Sequence, residues 1–271
     1  MWKNLMPRIL IALGSLPIIF ACTYFGSWTF FFLVTTLALL SLNEFYSLMN
    51  KKGYSPSYLV GGLVTIFFTW VTTYTLKHPN WEPYATGILT TAIILTFSAG
   101  IFLKKAQDST VNASITLLGI LYIGWMFSYL ILVRELTQHG AYLFFLVIAV
   151  WAGDTTAFFV GTLFGRMKLS PYISPRKTVE GAASGLIVSV IAAAIFSRMI
   201  DMSLVHGIIL GAIIGLVSQV SDLVESLIKR DAGVKDSSNL VPGHGGVLDR
   251  MDSFILTAPI MYYYLTWFVL R

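Results

Sequence analysis

Between Ser221 and Asp252 the chain reads SDLVESLIKRDAGVKDSSNLVPGHGGVLDRMD. On a helix, Asp222, Glu225, Ser226 and Lys229 fall at i, i+3, i+4 and i+7, one polar stripe on an otherwise apolar cylinder. Beyond a hydrophilic loop, His244-Gly245-Gly246 allows a tight backbone approach, and Asp249 and Asp252 then sit at i and i+3 where the next apolar run begins. Carboxylates gathered this closely repel one another unless a hard divalent cation lies between them, and oxygen donors with water are what Mg²⁺ prefers. Beside them stand Lys229, Arg230, Lys235 and Arg250, suited to phosphate oxygens. Carboxylates that hold Mg²⁺ next to cations that hold phosphate are the equipment of phosphoryl and nucleotidyl transfer. Zinc does not fit this set: His244 is the only nitrogen or sulfur ligand in the stretch, and the single cysteine, Cys22, lies far away in sequence. For His244, shaping the Gly-rich turn and transferring a proton are both open.

Two upstream segments carry further candidates. Asp154, in WAGDTTAFFVGTLFGR, falls about 15 Å inside an apolar run at about 1.5 Å per helical residue. An acid at that depth faces a cavity, a cation or a structural partner, so Asp154 joins Glu225 and Asp252 as second-rank metal candidates behind Asp222 and Asp249. In SPRKTVEG, Arg176 and Lys177 follow a Pro-set turn and precede a helix N-terminus, with the Ser174 and Thr178 hydroxyls alongside. Such a place binds phosphate; equally, it reads as an ordinary basic membrane-edge loop in which Thr178 caps the helix. The glycine spacing of a Walker A loop is missing.

These residues must be held by membrane helices. Of 271 residues only 11% are charged, against about 25% in an ordinary soluble domain, and 56% are hydrophobic. Nine apolar runs are long enough to approach the span of a hydrocarbon core: 9–25, 28–44, 59–76, 85–103, 112–133, 141–163, 182–200, 205–228 and 247–270. In lipid, runs of this kind form helices, so an all-α polytopic membrane protein is expected. The first run, after Lys3 and Arg8, could also be a signal peptide, but eight further runs make a retained helix simpler. Fourteen of the 18 Lys and Arg residues fall on one side of a nine-span chain; only Lys77, Arg134, Arg198 and Arg271 fall on the other. That asymmetry places the N-terminus in the cytoplasm, the C-terminus outside, and the polar cluster at the cytoplasmic face of the cell membrane. Through residue 140 the connections read as bland anchors and turns, whereas nine of the 13 acids come after residue 150. Residues 1–140 are therefore expected to be a scaffold and 141–271 the catalytic part. The net charge of +5 reflects membrane topology rather than a nucleic-acid partner.

The stretch from Ser226 to Asp252, with SLIKRD, Lys235-Asp236, PGHGG and LDRMD in order, resembles the signature of phosphatidate cytidylyltransferases, or CDP-diacylglycerol synthases. Val241 is a mild departure that touches no chemistry, and the first 140 residues match only in hydrophobic character. The resemblance implies an integral membrane enzyme, a homodimer, that condenses CTP with phosphatidate using Mg²⁺ and a second cation such as K⁺. It implies Asp222 and Asp249 as metal-holding carboxylates and Lys229, Arg230, Lys235 and Arg250 as phosphate contacts, with Ser226 and Asp236 in the same motif. For Asp154 it implies only nearness. Two other classes remain: a CTP-dependent lipid-alcohol kinase with similar nucleotide equipment, and a transporter, since intramembrane acids also mark ion pathways. An alcohol phosphotransferase acting on a CDP-lipid would carry a DGxxAR motif, which is not in this sequence.

Overall fold

A computed structural model of the protein describes residues 16–75, 82–102, 108–238, 240 and 245–271. Within these the chain is nearly all helix: α1 (Leu16–Phe25), α2 (Ser27–Lys51), α3 (Tyr58–Thr75), α4 (Glu82–Phe102), α5 (Ser109–Gly119), α6 (Met126–Glu135), α7 (Ala141–Leu163), α8 (Val179–Met199), α9 (Leu204–Asp231), α10 (Leu248–Ile255) and α11 (Thr257–Tyr264). A π-helical segment, Ile120–Trp125, joins α5 to α6, and another, Leu265–Val269, follows α11. Among the described residues five helices are long and apolar enough to cross a membrane: α2, the joined α5–α6, α7, α8 and α9. Helices α1, α3 and α4 add shorter apolar stretches. Apolar side chains such as Phe158, Ile195 and Met199 stand exposed on these helices, as a lipid-facing surface requires. The protein is a multi-pass membrane protein.

Two expectations need correction. The SPRKTVEG segment is not a loop: Ser174–Thr178 is a strand, β2, pairing antiparallel with β1 (Lys168–Ser170), so the fold is not strictly all-α. The ninth apolar run is not one helix but α10, α11 and a π-helical segment, interrupted at Leu256. Pro259, with no N–H for the Ile255 carbonyl, breaks the helix ahead of it, and Ser221 of α9 fills the break. Its hydroxyl donates to the Asp252 carbonyl and accepts from Leu256 N–H at 3.3 Å, standing in the ladder where that carbonyl and amide would otherwise meet.

The chain forms two compact units, residues 1–135 with 232–250 and residues 136–231 with 251–271. In the first, α2 packs on α3, α5 and α6 through a core that includes Phe30, Val34, Leu42, Phe45 and Leu48. Thr35 donates to Thr69 at 2.9 Å between α2 and α3. Arg134 ties the end of α6 to the end of α1: its Nε and Nη2 donate to the Thr23 and Tyr24 carbonyls at 2.8 and 2.9 Å. Those carbonyls belong to the last turn of a helix, where cations are favoured.

In the second unit, α8 packs tightly between α7 and α9. A Cβ at Gly185 would stand 2.9 Å from the Gly153 carbonyl oxygen, and one at Gly211 would stand 2.7 Å from Ala193 Cβ and 2.8 Å from Val190 Cα. Backbones this close are how helices associate in lipid, where no hydrophobic force drives them together. Ser189 Oγ donates to the Ala149 carbonyl and Gln219 Nε2 to the Ala182 carbonyl, at 2.8 and 3.0 Å, fixing the register of both contacts. Gly211→Ala is expected to destabilise the protein by about 1–3 kcal/mol through overpacking, read as a lowered thermal midpoint of the purified protein in detergent.

Candidate active site

The α7–α8–α9 packing gathers the polar residues of the second unit. On α9, Asp222, Ser226 and Lys229 are half-buried and Glu225 is fully buried, while Leu227 on the opposite side is 51% exposed. The stripe thus points into the protein. Oxygens of Asp222, Glu225 and Asp252 lie within 4.8 Å of one another. Asp252 reaches the other two because the Ser221 hydroxyl, one residue before Asp222, holds its backbone carbonyl.

Two lysines enter this group. Lys177 Nζ lies 2.5 Å from Asp222 Oδ2, and Lys229 Nζ lies 2.6 Å from Glu225 Oε2 one turn away on the same helix. The Ser226 hydroxyl lies 3.4 Å from Asp222 Oδ1. Three carboxylates thus face two ammonium groups. Asp154 adds a fourth acid beside them, accepting from Ser253 Oγ at 3.2 Å next to Asp252. The donor set is all hard oxygen, so the residues fit a divalent cation of the Mg²⁺ class and not zinc.

The β1–β2 hairpin delivers Lys177. Thr178 closes β2 as the N-cap of α8, accepting from Gly181 N–H at 3.2 Å, and is itself only 4% exposed. Glu180 in the first turn accepts from Met167 N–H at 3.1 Å, and Val179 N–H donates to the Met167 carbonyl at 2.9 Å. These bonds pin the hairpin to the helix start. Arg230 at the end of α9 donates through Nε to the Ile173 carbonyl at 3.1 Å, holding the hairpin turn against α9. Arg176 is exposed and Ser174 half-buried on the same strand. The structure therefore brings Asp154, Lys177, Asp222, Glu225, Ser226, Lys229, Arg230 and Asp252 into one constellation, with Arg176 and Ser174 on its hairpin.

Other sequence candidates belong to the first unit. Asp249 accepts from Ser237 N–H at 3.1 Å, from Ser237 Oγ at 3.0 Å and from Gly246 N–H at 2.7 Å, at the start of α10. It is not among the three clustered carboxylates found within the described residues. Lys235, Asp236 and Arg250 are exposed, and His244 lies outside the described residues. One residue of this unit is not visible as a candidate in the sequence. Glu44, 2% exposed on α2, accepts four hydrogen bonds from the segment after α9. The N-terminal part is thus less bland than expected. In the sequence Glu44 shows as an acid beside an apolar run, which needs partners, but nothing local says what they are.

An acid cluster suited to a hard cation, flanked by lysines that suit phosphate, is equipment for transfer at phosphorus. Comparison with known proteins agrees. Residues 6–268 match the Cytidylyltransferase family. The phosphatidate cytidylyltransferase of Bacillus subtilis (strain 168) is 32% identical over 269 residues, covering 98% of this chain and 99% of that protein. The Synechocystis and Staphylococcus haemolyticus proteins of the same name are 31% and 33% identical, covering 95% and 94% of this chain and 95% and 96% of their own length. With a match across nearly its whole length and a site of this chemistry, the chain belongs to the cytidylyltransferase family.

Proposed function

We propose that this protein is a membrane nucleotidyltransferase that condenses CTP with phosphatidate to give CDP-diacylglycerol and pyrophosphate, a step of phospholipid biosynthesis. The observation that carries this is the Asp222, Glu225 and Asp252 group with Lys177 and Lys229 set into it, in a chain of this family. Asp222, Glu225 and Asp252 would hold Mg²⁺, which supplies positive charge against the phosphate oxygens; Asp249 and a K⁺ ion are the further ligand and cation that the resemblance implies. Lys177 and Lys229, set among these acids, supply the ammonium groups that would meet phosphate oxygens. Arg176 and Arg230 stand near them for further phosphate oxygens, and Lys235 and Arg250 are the additional phosphate contacts that the resemblance implies. A phosphate oxygen of phosphatidate attacks the α-phosphorus of CTP in line; the bond from that phosphorus to the bridging oxygen breaks, and pyrophosphate leaves with the electron pair. The attacking phosphate monoester, with a second pKa near about 6, is already largely dianionic at neutral pH, so no strong base is needed.

The chain crosses the cytoplasmic membrane nine times in this proposal, with the N-terminus and the site on the cytoplasmic side, supported by the 14-to-4 division of basic residues. It acts as a homodimer, with residues 1–140 as scaffold. That arrangement lets a water-borne nucleotide meet a leaflet-bound phosphate at headgroup level. The test is incubation of the purified protein with CTP, Mg²⁺ and phosphatidate in detergent micelles. One pyrophosphate released per lipid product is expected, with none when phosphatidate is omitted. Release of CDP with a lipid alcohol as acceptor would instead indicate transfer of the terminal phosphate, and the proposal would fail.

A further inference from the structure

The Glu44 carboxylate is buried and takes no part in the transfer step proposed above. Its Oε1 accepts from Ser238 Oγ at 2.6 Å and Val247 N–H at 2.9 Å; its Oε2 accepts from Ser237 Oγ at 2.9 Å and Leu248 N–H at 2.8 Å. These donors are 193 to 204 positions away in the chain, and all are neutral. Two come from residues 237 and 238 and two from residues 247 and 248, so one side chain ties these two stretches at a common base. Asp249 reinforces the same base through Ser237 and Gly246. The Ser237 hydroxyl has one proton for two carboxylate neighbours, Glu44 and Asp249, and serves them one at a time. At Gly246 a Cβ would collide with Ser237 Oγ and with the Glu44 carboxylate, so only glycine admits the tie.

Four neutral donors converging on one buried carboxylate fix their relative positions by geometry. An apolar contact would fasten α2 to this segment without setting such a spacing. Flanking the tied ends are Lys235 and Asp236 on one side and Arg250 on the other, all exposed to water and hence to a soluble nucleotide. We propose that Glu44 is a positioning residue for CTP, holding residues 237–238 and 247–248 at the separation that places Lys235, Asp236 and Arg250 on the nucleotide. This rests on the assignment of the 226–252 segment to the nucleotide. Phosphatidate, anchored by its acyl chains, depends on this spacing far less.

Steady-state kinetics of the purified full-length protein in phosphatidate micelles test it, using Glu44→Gln, Ser238→Ala and Lys229→Ala. Gln keeps the size of Glu but presents a donor where donors already converge. The KM for CTP is expected to rise about tenfold or more in Glu44→Gln and about two- to fivefold in Ser238→Ala, with the KM for phosphatidate within about twofold of wild type. A mere staple lowers the folded fraction, and so kcat, while leaving both KM values in place. An unchanged CTP KM in Glu44→Gln, or in Ser238→Ala should Glu44→Gln not fold, overturns the proposal. Wild-type kinetics in Lys229→Ala would remove the nucleotide assignment and this proposal with it. Loss of activity in Lys229→Ala beside an unchanged CTP KM in the other two would remove this proposal alone.

Discussion

Asp222→Asn is expected to lower turnover by about 10²–10³-fold or more, the scale of removing one preorganised electrostatic group from a site of transfer. The substitution is nearly isosteric, so the protein still inserts and purifies. What changes is charge. Asp222 shares an oxygen cluster with Glu225 and Asp252 within 4.8 Å and holds Lys177 at 2.5 Å. Taking its charge away weakens the affinity of the cluster for a divalent cation and releases the lysine that the hairpin delivers. The Mg²⁺ concentration giving half-maximal rate should therefore rise along with the fall in kcat. Wild-type turnover in Asp222→Asn, at wild-type Mg²⁺ dependence, would place the chemistry elsewhere.

Lys229→Ala is expected to cost both activity and stability. Glu225 is fully buried, and the Lys229 ammonium lies 2.6 Å from it. Removing one partner of a buried ion pair costs about 3–5 kcal/mol, because the charge that remains has lost its compensation. The thermal midpoint in detergent should fall accordingly. The double variant Glu225→Gln with Lys229→Ala separates the two roles, since it removes both charges together. It is expected to regain most of the stability and none of the turnover, because the phosphate contact and one metal ligand are both gone. Recovery of activity in the double variant would make Lys229 a structural partner only.

The stripe on α9 is legible in the sequence because helical periodicity is local: positions i, i+3, i+4 and i+7 share a face whatever surrounds them. The choice between Asp249 and Asp252 is not legible that way. Both open the same helix three residues apart, and what separates them is tertiary: Ser221 holds the Asp252 carbonyl, whereas Ser237 and Gly246 donate to the Asp249 carboxylate. The break at Leu256 has a local mark in Pro259, which has no N–H for the Ile255 carbonyl, but the hydroxyl inserted there comes from another helix and no local pattern shows it. In SPRKTVEG the cap at Thr178 is a local pattern and visible, while pairing with β1 depends on a three-residue strand with no alternation to announce it. Glu44 is hidden by distance. All four of its donors lie 193 to 204 residues further on.

The central claim is that these carboxylates and lysines support transfer to phosphatidate at the α-phosphorus of CTP. It is tested most directly by supplying CTP radiolabelled either at the α- or at the γ-phosphorus to wild-type protein and to Asp222→Asn, with phosphatidate and Mg²⁺. The account predicts that wild-type lipid acquires label only from the α-position, that the γ-label leaves as pyrophosphate, and that Asp222→Asn does neither at a comparable rate. Lipid labelled from the γ-position, or α-label incorporated equally by both proteins, would contradict it.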